Sequence, residues 1–175
     1  MRMIGGLTWP EDSNPGFLCI VIEKEPAKDA SMEVPQLYYE VSDEFASHSL
    51  LEIFDHIKTL KHLGGIYTKN DTKYQNFIRD YAKYRRAEGI SARLMLSQTT
   101  SFEAGIMKIK EFISKKLIIF HDDSTVKAQL KIFSKLSLKN EPEFYAVSAL
   151  TQVVNSLQKR PASISEKEPP IKNWY

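Results

Sequence analysis

Five acidic residues stand where a folded chain could bring carboxylates together: Glu11, Asp12, Asp71, Glu141 and Glu143. Carboxylates converging on one or two Mg²⁺ or Mn²⁺ ions would let the metal polarise a phosphate and activate a water, which is the chemistry of phosphodiester cleavage. On that reading Asp12, Asp71, Glu141 and Glu143 are the candidate catalytic residues, Asp12 and Glu141 the candidate metal ligands, and Lys69 lies near the phosphate. Each acid also has a purely structural explanation. Asp12 and Asp71 fall in polar turns, and Glu141 and Glu143 open the last helix, where negative charge suits the helix dipole.

A second constellation is cationic. Lys83, Arg85 and Arg86 lie with Tyr81 and Tyr84 near a helix end. Cations mixed with aromatics suit a nucleic-acid backbone, so these three and Lys69 are the candidate nucleic-acid contacts. The same residues also fit a solvated helix end whose tyrosines are half in the core. His121-Asp122-Asp123 reads as a polar turn, because adjacent side chains point in different directions. His48, His56 and His62 read as surface residues. The chain has no P-loop, no GxSxG, no GxGxxG and no Cys/His zinc spacing. ATP hydrolysis, serine-type acyl transfer and dinucleotide chemistry therefore lack support.

The elements that must position these residues begin with Ile4 to Glu23, an apolar strand, a turn rich in Pro, Asp, Asn and Gly, and a second apolar strand over 17–22. A charged, proline-containing loop leads to a third strand over 36–41. Ser47 or Ser49 caps a helix whose apolar face is Leu50, Phe54, Ile57 and Leu60, and Gly64-Gly65 ends it. A fourth strand over 65–68 precedes a helix carrying Tyr74, Phe77, Ile78, Tyr81 and Tyr84, stopped by Gly89. A fifth strand over 90–96, a helix capped by Ser101, a sixth strand over 117–120 and a short helix over Val126, Leu130 and Phe133 follow. Asn140 with Glu143 forms a capping-box pattern for the last helix. The order β-β-β-α-β-α-β-α-β-α-α predicts an α/β fold: a mixed sheet, opening with a three-strand meander, with helices on both faces.

Bulk properties bound the setting. The 175 residues suit one domain over 1–159, with a flexible Pro-rich tail over 160–175 that ends in Trp174 and Tyr175. The net charge of +2 permits nucleic-acid binding without requiring it, since Lys and Glu are interspersed. The single cysteine, Cys19, sits in an apolar strand and reads as a core residue of a cytosolic protein. No apolar run approaches the ~18 residues of a membrane span.

The order of elements resembles the ribonuclease-H-like fold, and more narrowly the C-terminal nuclease domain of the large terminase subunit of tailed bacteriophages. Three stretches carry the resemblance: GGLTWPEDSNPGFLCIVIE, GGIYTKND with the helix ending in EGI, and KIKEFISKKLIIFHDDSTVKAQLKIFSKL followed by NEPEFYAVSALTQVV. Together they span about residues 3 to 158. The resemblance implies metal-binding acids at the ends of the first and fourth strands and in the last helix. This chain has Thr8, Thr68 and Tyr145 at those positions, and only Glu141 keeps an acid in register. Mg²⁺ prefers carboxylates and water over a neutral hydroxyl.

The resemblance thus implies a terminase-nuclease-like domain of a phage or prophage packaging protein that has lost catalysis, needs no cofactor, and serves structure or contact with double-stranded DNA. Other terminase or packaging-motor parts are implied partners, in the cytoplasm of a bacterial host and away from membranes. Two alternatives stay open. One is an active Mg²⁺- or Mn²⁺-dependent endonuclease cutting double-stranded DNA during packaging. The other is a protein-interaction module without a nucleic-acid role, using the tail and Trp174.

Overall fold

The computed structural model describes residues 1–25, 37–98 and 101–157. Its sheet is built on β1 (Met3–Thr8). β1 pairs antiparallel with β2 (Gly16–Lys24), Thr8 facing Phe17, and β2 pairs antiparallel with β3 (Tyr38–Ser47). On its other side β1 runs parallel to β4 (Leu63–Thr68), with Leu7 opposite Thr68. β5 (Arg93–Leu96) extends the sheet beyond β4, and β6 (Ile118–Phe120) extends it beyond β3, both in parallel. The strand order is β5-β4-β1-β2-β3-β6, a mixed sheet whose first three strands form a meander.

Helices cover both faces, which explains why β2 is apolar without a break. Leu18 and Ile20 point into a core with α1 (Leu50–Thr59) and α2 (Gln75–Glu88), through Ile53, Phe54, Ile57 and Tyr81. Phe17, Cys19 and Val21 point the other way, against α3 (Phe102–Ser114), α4 (Thr125–Ile132) and α5 (Tyr145–Leu157). Cys19 is a buried core residue, and burial pushes its thiol pKa well up, so it is held as an unreactive thiol.

All of α5 except Tyr145 and Asn155 is buried. It is a central helix lying directly on β1 and β2, buried nearly all round although it carries Ser148, Thr151, Gln152 and Ser156. Gly6 permits this. A Cβ at Gly6 would lie 1.9 Å from the Ala149 carbonyl oxygen, so only glycine lets the helix backbone come this close to the strand.

The element order matches the sequence-based expectation, and Ser49, Ser101 and Gly89 act as caps where expected. Several details differ. Gly64 and Gly65 do not end α1. The helix is capped at Leu60, and both glycines lie inside β4, where Gly65 pairs with Ile4. β3 runs on past Val41 to Ser47, absorbing the polar Ser42-Asp43-Glu44 through a register shift opposite Ile20 and Val21. Asn140 makes no side-chain cap; a 3₁₀ turn over Glu141–Phe144 precedes α5. The first amides of α5 are met from a distance instead, because Gln129 Oε1 accepts from the N–H groups of Ala146 and Val147 at 3.0 and 3.2 Å. In the same way Glu44 accepts from Thr125 N–H, Val126 N–H and the Ser124 hydroxyl at the start of α4. His56 is not a plain surface residue: it stacks on Phe45 with ring centroids 4.2 Å apart and meets Asp43 at 2.6 Å. The charged loop at 26–36 and the tail from 158 lie outside the described residues. Among the described residues, no helix is long and apolar enough to cross a membrane.

Candidate functional site

The C-terminal ends of β1 and β4 lie side by side, and the start of α5 crosses above them. The cleft between them, about 160 Å³, is lined by Thr8, Trp9 and Glu11 from β1 and its turn. Thr68, Lys69, Lys73 and Tyr74 line it from β4 and the segment after it, and Glu141, Tyr145, Ser148 and Gln152 from α5 and its approach. Open sheets commonly present their sites at the carboxyl ends of strands, and this cleft has that placement.

Thr8, Thr68 and Tyr145, which are 60 or more residues apart in sequence, all meet here. Each is engaged in structure. The Thr68 hydroxyl, fully buried, donates to the Leu7 carbonyl at 3.0 Å and fastens β4 to the end of β1. The Thr8 hydroxyl donates to the Tyr145 carbonyl at 3.4 Å and ties β1 to the start of α5. The Tyr145 ring packs on Phe17 with centroids 5.6 Å apart.

Two carboxylates line the cleft, and each is held by a lysine. Glu11 meets Lys73 Nζ at 2.6 Å and accepts from the Tyr74 hydroxyl at 2.7 Å. Partial burial alone would raise the Glu11 pKa, but the hydrogen bonds from Lys73 and Tyr74 outweigh it and hold the carboxyl below its ordinary value. The same contact raises the Lys73 pKa, and burial followed by the bond to Glu11 raises that of Tyr74. Glu141 accepts from Lys69 Nζ at 3.2 and 3.4 Å through its two oxygens, and from the Ser148 hydroxyl at 2.9 Å. Two acids and two lysines leave the cleft with no net formal charge.

The other sequence candidates lie elsewhere. Asp12 is exposed in the β1–β2 turn, in a left-handed conformation at φ 45°, while the neighbouring Glu11 and Asn14 exchange backbone bonds. Asp71 caps the 3₁₀ turn Thr72–Tyr74 by accepting from Lys73 N–H at 3.1 Å. Glu143 is exposed, and its carbonyl rather than its carboxylate accepts from Gln129. Of the five acids that the sequence offers, then, only Glu11 and Glu141 line the cleft, and of the four candidate catalytic residues only Glu141 does, with Lys69 beside it. Among the described residues, no three His, Cys, Asp or Glu form a group that could hold a metal ion. The donor set does not fit a two-metal centre: it offers two carboxylates, each already bonded to an ammonium group, with threonines at two of the remaining positions. Lys83 and Arg86 are exposed on α2, whereas Arg85 is half-buried with its Nε enclosed and without a hydrogen-bond partner.

The architecture is shared with solved structures. The crystal structure of the large terminase nuclease from the thermophilic phage G20c, with bound zinc, superposes with a TM-score of 0.54. It is 11% identical in sequence over 88% of this chain and 80% of that one. The fold is ribonuclease-H-like. Thermus thermophilus RuvC matches at a TM-score of 0.44 and 12% identity, covering 87% of this chain and 91% of that chain. No protein-family model matches, and no curated protein matches.

In this ribonuclease-H-like domain the sequence flagged Glu11 only as one of five acids and left unannounced the contributions of Lys73, Tyr74, Ser148 and Gln152. Lys69 and Glu141 are 72 residues apart. No local spacing rule links them; the packing of α5 across the ends of β1 and β4 brings them together.

Proposed function

We propose that this chain is a terminase-nuclease-like domain of a phage or prophage DNA-packaging protein, catalytically degenerate and retained for structure and DNA contact. One observation carries this reading. Thr8, Thr68 and Tyr145 gather at one cleft whose two carboxylates are neutralised by Lys69 and Lys73. Hydrolysis of a phosphodiester by this fold needs acids free to bind Mg²⁺ or Mn²⁺. Here both acids are paired with lysine ammonium groups, and Thr68 serves as a strand fastener. The likeness to a terminase nuclease supports the setting, and DNA is the partner it suggests.

The test is incubation of supercoiled plasmid with the full chain and Mg²⁺ or Mn²⁺. The plasmid stays supercoiled on this reading. Nicking that Glu11→Gln or Glu141→Gln abolishes would overturn it in favour of an active endonuclease with a rearranged site, because those two carboxylates share the cleft.

A further inference from the structure

Beyond the cleft, α2 carries three cations that have no local purpose. Arg79, Lys83 and Arg86 follow one another at spacings of four and three, so they form a single stripe along the helix. At 3.6 residues per turn, this stripe lies directly opposite the side that packs on the core through Tyr74, Phe77, Ile78, Tyr81 and Tyr84. All three residues are exposed, and among the described residues none forms an ion pair. Five other surface lysines are paired, Lys58 with Glu88, Lys69 with Glu141, Lys73 with Glu11, Lys115 with Glu111 and Lys127 with Asp122, whereas Lys131, Lys135 and Lys139 are exposed like the stripe and have no ion pair among the described residues. Like charges at this helical spacing destabilise a helix, and Asp80, three residues before Lys83, makes no ion pair with the stripe among the described residues.

We infer that the Arg79–Lys83–Arg86 stripe is a track for the phosphate backbone of duplex DNA. This rests on the reading of the chain as a DNA-contacting domain and says which surface makes the contact. From Arg79 to Arg86 the helix rises about 10 Å, close to three base-pair steps at about 3.4 Å each. The helix begins beside Lys73, so the track leads away from the mouth of the cleft. It includes Arg79, which sequence composition alone did not single out. It leaves out Arg85, whose side chain turns toward the body of the domain. An acidic protein surface would also meet three cations, but it would not show the salt law of a polyelectrolyte.

The experiment measures binding of the full chain to a fluorescent duplex of about 20 base pairs, by anisotropy, between about 50 and 200 mM salt. Arg79→Gln/Lys83→Gln/Arg86→Gln is compared with wild type and with Lys131→Gln/Lys135→Gln/Lys139→Gln. The second triple variant removes the same charge from exposed positions on the opposite side of the sheet. Each phosphate contact contributes about 0.9 to the slope of log affinity against log salt, so the stripe variant's slope should fall by about 2.7. Across that fourfold salt range the wild type should lose about 40-fold more affinity than the stripe variant. The control should keep the wild-type slope. Equal losses in both variants would mean a net-charge effect and overturn the track, as would an unchanged slope in the stripe variant. No DNA binding by the wild type at low salt would overturn both the track and the DNA-contact role, while the plasmid assay would still decide catalysis separately.

Discussion

The close approach of Gly6 on β1 to the backbone of α5 gives the sharpest stability prediction. In Gly6→Ala the new Cβ would lie 1.9 Å from the Ala149 carbonyl oxygen, 2.9 Å from its carbon and 3.4 Å from Val153 Cβ. The usual lower limit for such a carbon–oxygen contact is about 3.3 Å. The helix must therefore retreat by roughly 1.4 Å or tilt. A radial gap of about 1 Å already forfeits up to half of the dispersion attraction across an interface. α5 buries Val147, Leu150, Val153 and Val154 here, so the retreat is felt along its whole length. Overpacking a core that can adjust costs about 1–3 kcal/mol, and a clash of backbone on backbone lies at or beyond the top of that range, about 3–5 kcal/mol. With a urea dependence of about 2 kcal/mol per molar, the unfolding midpoint should fall by about 1.5–2.5 M, read by circular dichroism. Gly64→Ala is the control, because its Cβ would meet only the Met3 carbonyl oxygen at an ordinary 3.6 Å. A Gly6→Ala midpoint within about 0.3 M of wild type would refute the claim that this glycine sets the strand–helix distance. The cleft would register the same retreat, since α5 carries Tyr145, Ser148 and Gln152 into it.

Two further predictions concern charge. In Lys69→Met/Lys73→Met the carboxylates of Glu11 and Glu141 lose their counter-ions. Partly exposed pairs of this kind are worth up to about 1 kcal/mol each, so Mn²⁺ should bind roughly tenfold or more tighter than to wild type by calorimetry. An unchanged Mn²⁺ affinity would show that the lysines are not what keeps the metal out. Stability should also fall at both ends of the pH range. Glu11 has a lowered pKa in the folded state, so its contribution is present above the ordinary carboxylate value and is lost as pH falls through the folded one. Burial pushes the Tyr81 phenol up to about 12, and donation to Asp55 pushes Tyr84 to about 12, so the neutral forms favour the fold until the unfolded chain ionises first, above about pH 10. Absorbance at 295 nm should show these tyrosines ionising late or together with unfolding; ionisation of every tyrosine near pH 10 in a still-folded protein would contradict the burial argument.

The element order was legible because each element announces its own period. Leu50, Phe54 and Ile57 repeat at helical spacing, and the unbroken apolar run of β2 signals a strand covered on both faces. What the sequence concealed were contacts made across the fold. α5 takes its cap from Gln129 and α4 takes carboxylate support from Glu44 on β3, so the local Asn140–Glu143 pattern pointed to a box that does not form. β3 looked finished at Val41 because Ser42, Asp43 and Glu44 are polar. Their side chains find partners in Ile20, His56 and the α4 N-terminus, which is why the strand continues. The site divides along the same line. The grouping of Thr8, Thr68 and Tyr145 was legible from resemblance, whereas the lysine that faces each glutamate depends on tertiary placement alone.

Thr68 shows how the strand ends at this cleft are held together. A carboxylate at the end of β4 would be fully buried beside Leu7, and an ionised acid there carries a desolvation cost that a bound cation or an equivalent partner must offset. A threonine carries no charge to offset. Its hydroxyl satisfies the Leu7 carbonyl, so the strand end is closed by a hydrogen bond internal to the sheet. The same logic applies to Thr8, whose hydroxyl reaches the carbonyl of Tyr145. The acids that remain, Glu11 and Glu141, sit at the partly exposed rim, where a lysine ammonium is enough to balance each of them. A carboxylate introduced there, as in Thr68→Asp, would therefore bury a charge with no free cation beside it, because Lys69 and Lys73 already pair with Glu141 and Glu11.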